Sequence, residues 1–526
     1  MVTFELIISL LLVGAFLANI APRLSIPYPV LLACFGAVLA FVPNLPDLTI
    51  APELVLALFV APVLLSAAYD ASLRDLRDNW KAVANLALIA VGLTVVCVAL
   101  VVRWLVPDMP WAAAIALGAI VAPPDASAAT AILSQLRPPH RVLVILEGES
   151  LFNDASALLI YRAAVGVAMT RRLDGAIPVL VLAAAGSIIV GLILARLYML
   201  FAERVQHAAT AILFQFLSVF LVWILAERLG LSGIITMVCF AITLAQIAPS
   251  QISAQMRIPS YAVWDVVVFV LDILVFVLVG LELKPVLLRL DPSEIINYLT
   301  VGAAVCATVI LVRIAWVMSY NTFVRWKNRR FGVRLPRPMM RPTVQGGLII
   351  SWCGMRGIIT LAAALALPDG ANGGPVFPHR DLLLVAAFSV VFGTLVLQGL
   401  TLRPLLLALG IKRDDTVDRE VNLARTVAAR AALEALDQQP ISIATKVVRQ
   451  EYETRLQQSD KSGATTDDSQ SAELAGIQSQ AIAAERRAIA DLRSRGEIGD
   501  DAFHRLEEEL DWTEVHVARR ASGKAG

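Results

Sequence analysis

Three polar residues in one greasy stretch are where chemistry could happen. Leu146-Glu-Gly-Glu-Ser-Leu-Phe-Asn-Asp-Ala155 lies inside the apolar run 141–169, and it sets Glu149, Asn153 and Asp154 within about one and a half helical turns. Glu149 and Asn153 are four apart and share a face. Two carboxylates and an amide buried this close must be paired or partly protonated. A charge at mid-membrane costs on the order of 3 kcal/mol, so such residues face the bundle interior and mark ion pathways.

The run 111–134 carries Pro123, Pro124 and Asp125 near its centre. Two prolines remove two backbone donors and forbid a continuous helix. Backbone freed inside a membrane is tolerated where it lines a cavity or is buried in protein, and broken helices of this kind coordinate cations in many secondary transporters. The plainer alternative is a proline kink with Asp125 hydrogen-bonded. A third stretch, Ser351-Trp-Cys-Gly-Met-Arg-Gly-Ile-Ile-Thr360, brackets Arg356 between Gly354 and Gly357. A guanidinium is always charged and needs a carboxylate. Glu149 is the candidate partner: a buried Glu149–Arg356 pair would hold two helices in register and leave Asp154 free to titrate. On this reading Arg356 is the only strongly central cation. Asp265 and Asp272, seven apart, share a face, with Asp272 expected to point into the bundle. His140 and His207 fall at loop edges, which argues against a histidine relay, so carboxylates must carry any proton.

The elements that position these residues follow from composition. Of 526 residues, 58% are hydrophobic and 17% charged, with a mean hydropathy of +0.72; a soluble domain has about half apolar and about a quarter charged residues. The excess must face lipid. A net charge of +1 gives no general attraction to nucleic acid. No Walker loop, HExxH or zinc-ligand spacing occurs, and the Asp-containing runs lack Gly-x-Gly-Asp, so an enzyme is not expected and no cofactor is implied. The five cysteines stand singly in apolar runs and read as small core residues.

Apolar runs near 3–20, 28–42, 53–70, 82–106, 111–134, 141–169, 176–200, 207–227, 231–248, 260–283, 295–319, 345–367 and 381–408 give thirteen candidate spans. The first lacks a basic leader and reads as a span, not a cleaved signal. The short second run is the weakest. Residues 1–410 are thus expected to form a transmembrane domain of an all-α multi-pass membrane protein. Arg325, Lys327, Arg329, Arg330, Arg334, Arg337 and Arg341 mark one cytoplasmic loop. Arg74, Arg77, Lys81, Arg137, Arg141, Lys412 and Arg413 fall on the same side, with Arg171 and Arg172 as exceptions. This places the tail in the cytoplasm and the N-terminus outside. Residues 411–526 read as a helical tail, with helix-forming stretches Asn422–Leu436 and Glu473–Ser494 around a polar linker, Gln457–Gln470, and a last helix over Asp500–Arg520.

Taken together the motifs resemble the sodium/proton exchangers of the cation:proton antiporter-1 family, NhaP-type proteins and their animal relatives. Ala122-Pro-Pro-Asp125, Gly148-Glu-Ser-Leu-Phe-Asn-Asp154 and Gly354-Met-Arg-Gly357 match three family motifs in order. The resemblance implies thirteen spans with inverted repeats, two unwound helices that cross, and a homodimer in the cell membrane. It also implies that Asp154 binds the transported cation or proton, that Asn153 and Asp125 shape the site, and that Glu149 pairs with Arg356. Ser150, Asp272 and Pro124 are expected along the pathway. The family commonly has Thr-Asp-Pro where this chain has Pro124-Asp125-Ala126, an acidic residue where Ser66 stands, and Asn where Asp272 stands.

The expected function is exchange of a monovalent cation, Na+ or else K+ or Li+, for H+ across the bilayer, in the service of intracellular pH and cation balance. Because Asn153 cannot ionise, one-for-one electroneutral exchange is expected. Two alternatives stay open: a membrane sensor that keeps the fold without turnover, and a transporter of another solute.

Overall fold

Inside a hydrocarbon layer every backbone N–H and C=O must be satisfied within the chain, so apolar runs fold as helices. The computed structural model describes residues 2–24, 26–43, 52–136, 138–170, 176–205, 207–252, 254–284, 295–331, 342–369, 375–410 and 416–438, with scattered positions beyond. The chain divides into two compact units, Met1–Arg413 and Asp414–Gly526.

The first unit opens with α1 (Val2–Leu24) and α2 (Tyr28–Leu39). Pro29 sits in the first turn of α2, where a missing N–H costs nothing. The π-turn Leu56–Val60 joins α3 (Pro52–Val55) to α4 (Ala61–Asp70). A second, Asn85–Ala90, joins α5 (Leu73–Ala84) to α6 (Val91–Leu105). There the carbonyl of Ala87 accepts a hydrogen bond from Ser156 Oγ at 2.6 Å. The next apolar run is split into α7 (Trp111–Val121) and α8 (Ala126–Leu136). Continuous helices follow: α9 (His140–Thr170), α10 (Ala176–Ala202), α11 (Ala208–Arg228), α12 (Gly233–Gln251), α13 (Ala254–Leu281) and α14 (Ile295–Phe331). A second split run gives α15 (Val344–Trp352) and α16 (Ile358–Leu365), and α17 (Arg380–Ala408) closes the unit.

Helix therefore occupies all thirteen apolar runs, the short second one included. Eight helical stretches among the described residues are long and apolar enough to cross a membrane, and the protein is an all-helical multi-pass membrane protein. Its 37 residues make α14 about 55 Å long, enough to carry Arg325, Lys327, Arg329 and Arg330 beyond a hydrocarbon layer of about 30 Å. Arg334, Arg337 and Arg341, like Arg137, Arg171, Arg172, Lys412 and Arg413, lie outside the described residues.

Two large apolar cores fill the unit, and the helices that matter for function pass from one to the other. α7 packs in the first core and α8 in the second. α9 belongs to the second through Leu146 and to the first from Leu151; α14 belongs to the first through Val309 and to the second at Val317. Glu149 and Arg313 fall at these changeovers, and so does the α7–α8 break. The polar residues thus form a seam between two dry regions. α7–α8 and α17 are the most enclosed helices, while α1, α10 and α11 turn most of their surface outward.

One close contact brings a further acid toward the seam. A Cβ on Gly36 would lie 2.2 Å from Val277 O, and one on Gly280 would lie 2.2 Å from Ala33 O. Only bare backbone lets α2 and α13 approach so closely. That approach sets the Tyr28 hydroxyl 3.0 Å from Asp272 Oδ2.

In the second unit, α18 (Thr416–Asp437) includes the expected Asn422–Leu436 stretch. The expected linker at Gln457–Gln470 lies outside the described residues, as do nearly all residues of the helices expected at Glu473–Ser494 and Asp500–Arg520.

Candidate functional site

Pro123 and Pro124 end α7 at Val121, and α8 starts only at Ala126. Asp125 is the residue before α8. Its Oδ1 accepts hydrogen bonds from the backbone N–H of Ser127 at 2.9 Å and from Ser127 Oγ at 2.7 Å, the geometry of a helix N-cap. The α15–α16 run breaks at 353–357, and the two breaks touch: the N–H of Asp125 donates to Met355 O at 2.7 Å. A Cβ on Gly357 would fall 1.7 Å from Asp125 Oδ2, so the carboxylate lies directly against the start of α16. One carboxylate thus faces the positive ends of two half-helices.

The opposite, C-terminal ends of the half-helices expose unpaired carbonyls, and buried arginines meet both. Arg356 donates from Nε to Val121 O at 3.0 Å and from Nη2 to Ala122 O at 3.1 Å, closing α7, and its Nη1 donates to Gly354 O. Its backbone N–H donates to Thr394 Oγ1 at 3.1 Å. Arg313, on α14, donates from Nη2 to Ile350 O at 2.9 Å and to Cys353 O at 3.3 Å, closing α15.

The expected Glu149–Arg356 pair does not form. Glu149 is paired with Arg313 through two parallel bonds of 2.5 and 2.9 Å, with side-chain exposures of 1% and 4%. The cause is reach: Arg356 sits within the break and its guanidinium is taken up by the end of α7, whereas Arg313 comes across from α14 to face α9. Arg356 is thus not the only central cation: Arg313, in Leu311-Val-Arg-Ile-Ala315, has as apolar a setting in the sequence, and that setting is its signal.

Asn153 is fully buried, and its Nδ2 donates to Pro124 O at 2.9 Å, tying α9 to the α7–α8 break. Its Oδ1 is buried without a partner among the described residues. Asp154 is 5% exposed and accepts no hydrogen bond among the described residues, yet it lies within electrostatic reach of Asp125 and Glu149. The structure therefore brings Asp125, Pro124, Asn153 and Asp154 to one place, with Ser150 half-buried on the same helix. Asp272 is held by Tyr28 and lies within reach of Asp125's charge. Asp265 is exposed; with Ser66 and Asp70 it lines a separate cavity of about 210 Å³. His140 begins α9 with Nε2 3.0 Å from Asp75 Oδ2, and His207 precedes α11.

The model of the transmembrane sodium/hydrogen exchanger family matches residues 7–408. The chain belongs to the sodium/hydrogen exchanger family. It is accordingly a member of a cation/proton antiporter family, a transporter and not an enzyme. An uncharacterized Na+/H+ exchanger of Escherichia coli (strain K12) is 32% identical over 430 residues, 78% of this chain and 77% of that protein. A sodium, potassium, lithium and rubidium/H+ antiporter of Bacillus subtilis is 28% identical over 98% of this chain and 78% of its own length. Among solved structures, the sodium proton antiporter MjNhaP1 from Methanocaldococcus jannaschii matches with a TM-score of 0.60 at 19% identity, covering 77% of this exchanger and 98% of that chain; this likeness speaks to fold.

Proposed function

We propose that this exchanger trades one monovalent cation for one proton at Asp154. The observation that carries the reading is the contrast among the seam's carboxylates: Glu149 has Arg313, Asp125 has Ser127 and Asp272 has Tyr28, while Asp154 has no hydrogen-bond donor among the described residues. A carboxylate buried without a partner is costly unless a proton or a cation neutralises it. Deprotonated Asp154 holds the dehydrated cation, helped by the Oδ1 of Asn153, which has no partner among the described residues, and protonation displaces it. Asp154 carries either one cation or one proton, so each turn of the cycle takes one positive charge in each direction. Exchange is then electroneutral. Asp272 steadies α2 against α13. Relatives bearing the names of sodium, potassium and lithium antiporters support Na+, K+ or Li+ as the ion. The exchanger works as a homodimer in the cell membrane with its tail on the cytoplasmic side, a placement supported by the basic end of α14.

The test is Asp154→Asn in proteoliposomes carrying a pH-sensitive dye. Cation-driven proton flux is expected to fall to the background of empty vesicles while the variant purifies and melts like the parent. Retained exchange would overturn the site.

A further inference from the structure

Gln398, on α17, is fully buried, and neither its amide nitrogen nor its amide oxygen meets a protein partner among the described residues. Its helix neighbours Leu395 and Leu402 belong to the second apolar core. A primary amide carries two donors and an acceptor oxygen, and an apolar core that leaves all of them unmet pays more than it would for leucine.

Its position says what the amide faces. Thr394 Oγ1 accepts from the Arg356 N–H at 3.1 Å, and Thr401 Oγ1 accepts from Trp352 Nε1 at 2.9 Å. Thr394, Gln398 and Thr401 are spaced four and three apart and share one helical face. That face runs along the α15–α16 break from Arg356 to Trp352, with Gln398 in the middle. The sulfur of Met355, itself fully buried, lies 3.6 Å from where a Cβ on Gly399 would stand.

We propose that Gln398 holds buried water against the α15–α16 break, a second polar site of the transport unit. A broken helix that shifts must trade backbone partners, and in a membrane interior those partners must be stored on the spot. A buried water offers about three hydrogen bonds to polar groups that lack them. Gln398 does not touch the transported ion; it is a positioning residue for the break. The proposal rests on reading the crossing as the cation site.

X-ray radiolytic labelling read by mass spectrometry reports water beside buried side chains directly. In the wild-type exchanger in proteoliposomes, Met355 is expected to be oxidised despite its burial, and Gln398→Leu is expected to cut that oxidation about fivefold. An unlabelled wild-type Met355, or equal labelling in the variant, overturns the proposal. In the flux assay Gln398→Leu is expected to melt no lower than wild type, to lose about tenfold in maximal rate and to keep its cation KM within about twofold. Wild-type flux in the variant also overturns it. Should the leucine variant fail to assemble, Gln398→Met, similar in length and apolar, gives the same two readouts. Absence of exchange in the wild type would count against the cation-site reading instead, and the labelling comparison stands without flux.

Discussion

Glu149 and Asp154 lie five residues apart on α9 and meet different surroundings. Glu149 is gripped by both arms of Arg313, so its charge is spent on structure, while Asp154 keeps its charge available. Removing one member of a buried pair strands the other and costs about 3–5 kcal/mol, whereas replacing both with apolar groups of similar volume is often neutral. Glu149→Gln and Arg313→Met are therefore each expected to destabilise the purified exchanger by about that amount, and Glu149→Leu with Arg313→Met to recover part of it, the remainder being the Ile350 and Cys353 carbonyls left without the guanidinium. Thermal unfolding in detergent checks both. If Glu149 were the exchanging group, the double variant would be stable but inactive at every pH, with Asp154 intact.

The α7–α8 break was legible at the level of elements because its cause is local, whereas the α15–α16 break was expected only through the family resemblance. Pro123 and Pro124 in succession remove two backbone donors from one turn and end the helix there. The thirteen helical runs were legible for the same reason: length and apolarity are properties of a segment. The partner of Glu149 was not, since it depends on how α14 is rotated against α9, and no segment records that. Nor was the use of Arg356 as a cap for α7, because carbonyl acceptors carry no side-chain signature. Gly357 tests the crossing itself. With a Cβ 1.7 Å from Asp125 Oδ2, Gly357→Ala must push the carboxylate or α16 aside. It is expected to abolish flux while Gly166→Ala, where a Cβ meets nothing within 4 Å, leaves flux unchanged. Active Gly357→Ala protein would show that the two breaks need not meet as described.

At the scale of the molecule, a polar seam between two apolar cores gathers the charges, and Asp154 is the carboxylate there that has no hydrogen-bond donor among the described residues. Moving net charge across a membrane would couple transport to voltage at about 2.3 kcal/mol per charge per 100 mV. One-for-one exchange moves none, so initial rates in proteoliposomes are expected to be the same with and without an imposed potassium-valinomycin potential, measured with sodium or lithium as substrate. The central claim is sharper still, that a cation and a proton compete for Asp154. The apparent KM for the cation, measured in reconstituted exchanger over a series of symmetric pH values, reads this directly. Competition requires KM to rise as pH falls, approaching about tenfold per unit once the site is mostly protonated, with the maximal rate unchanged. A KM that stays flat while the maximal rate collapses would mean that the proton acts somewhere other than at the cation's own carboxylate.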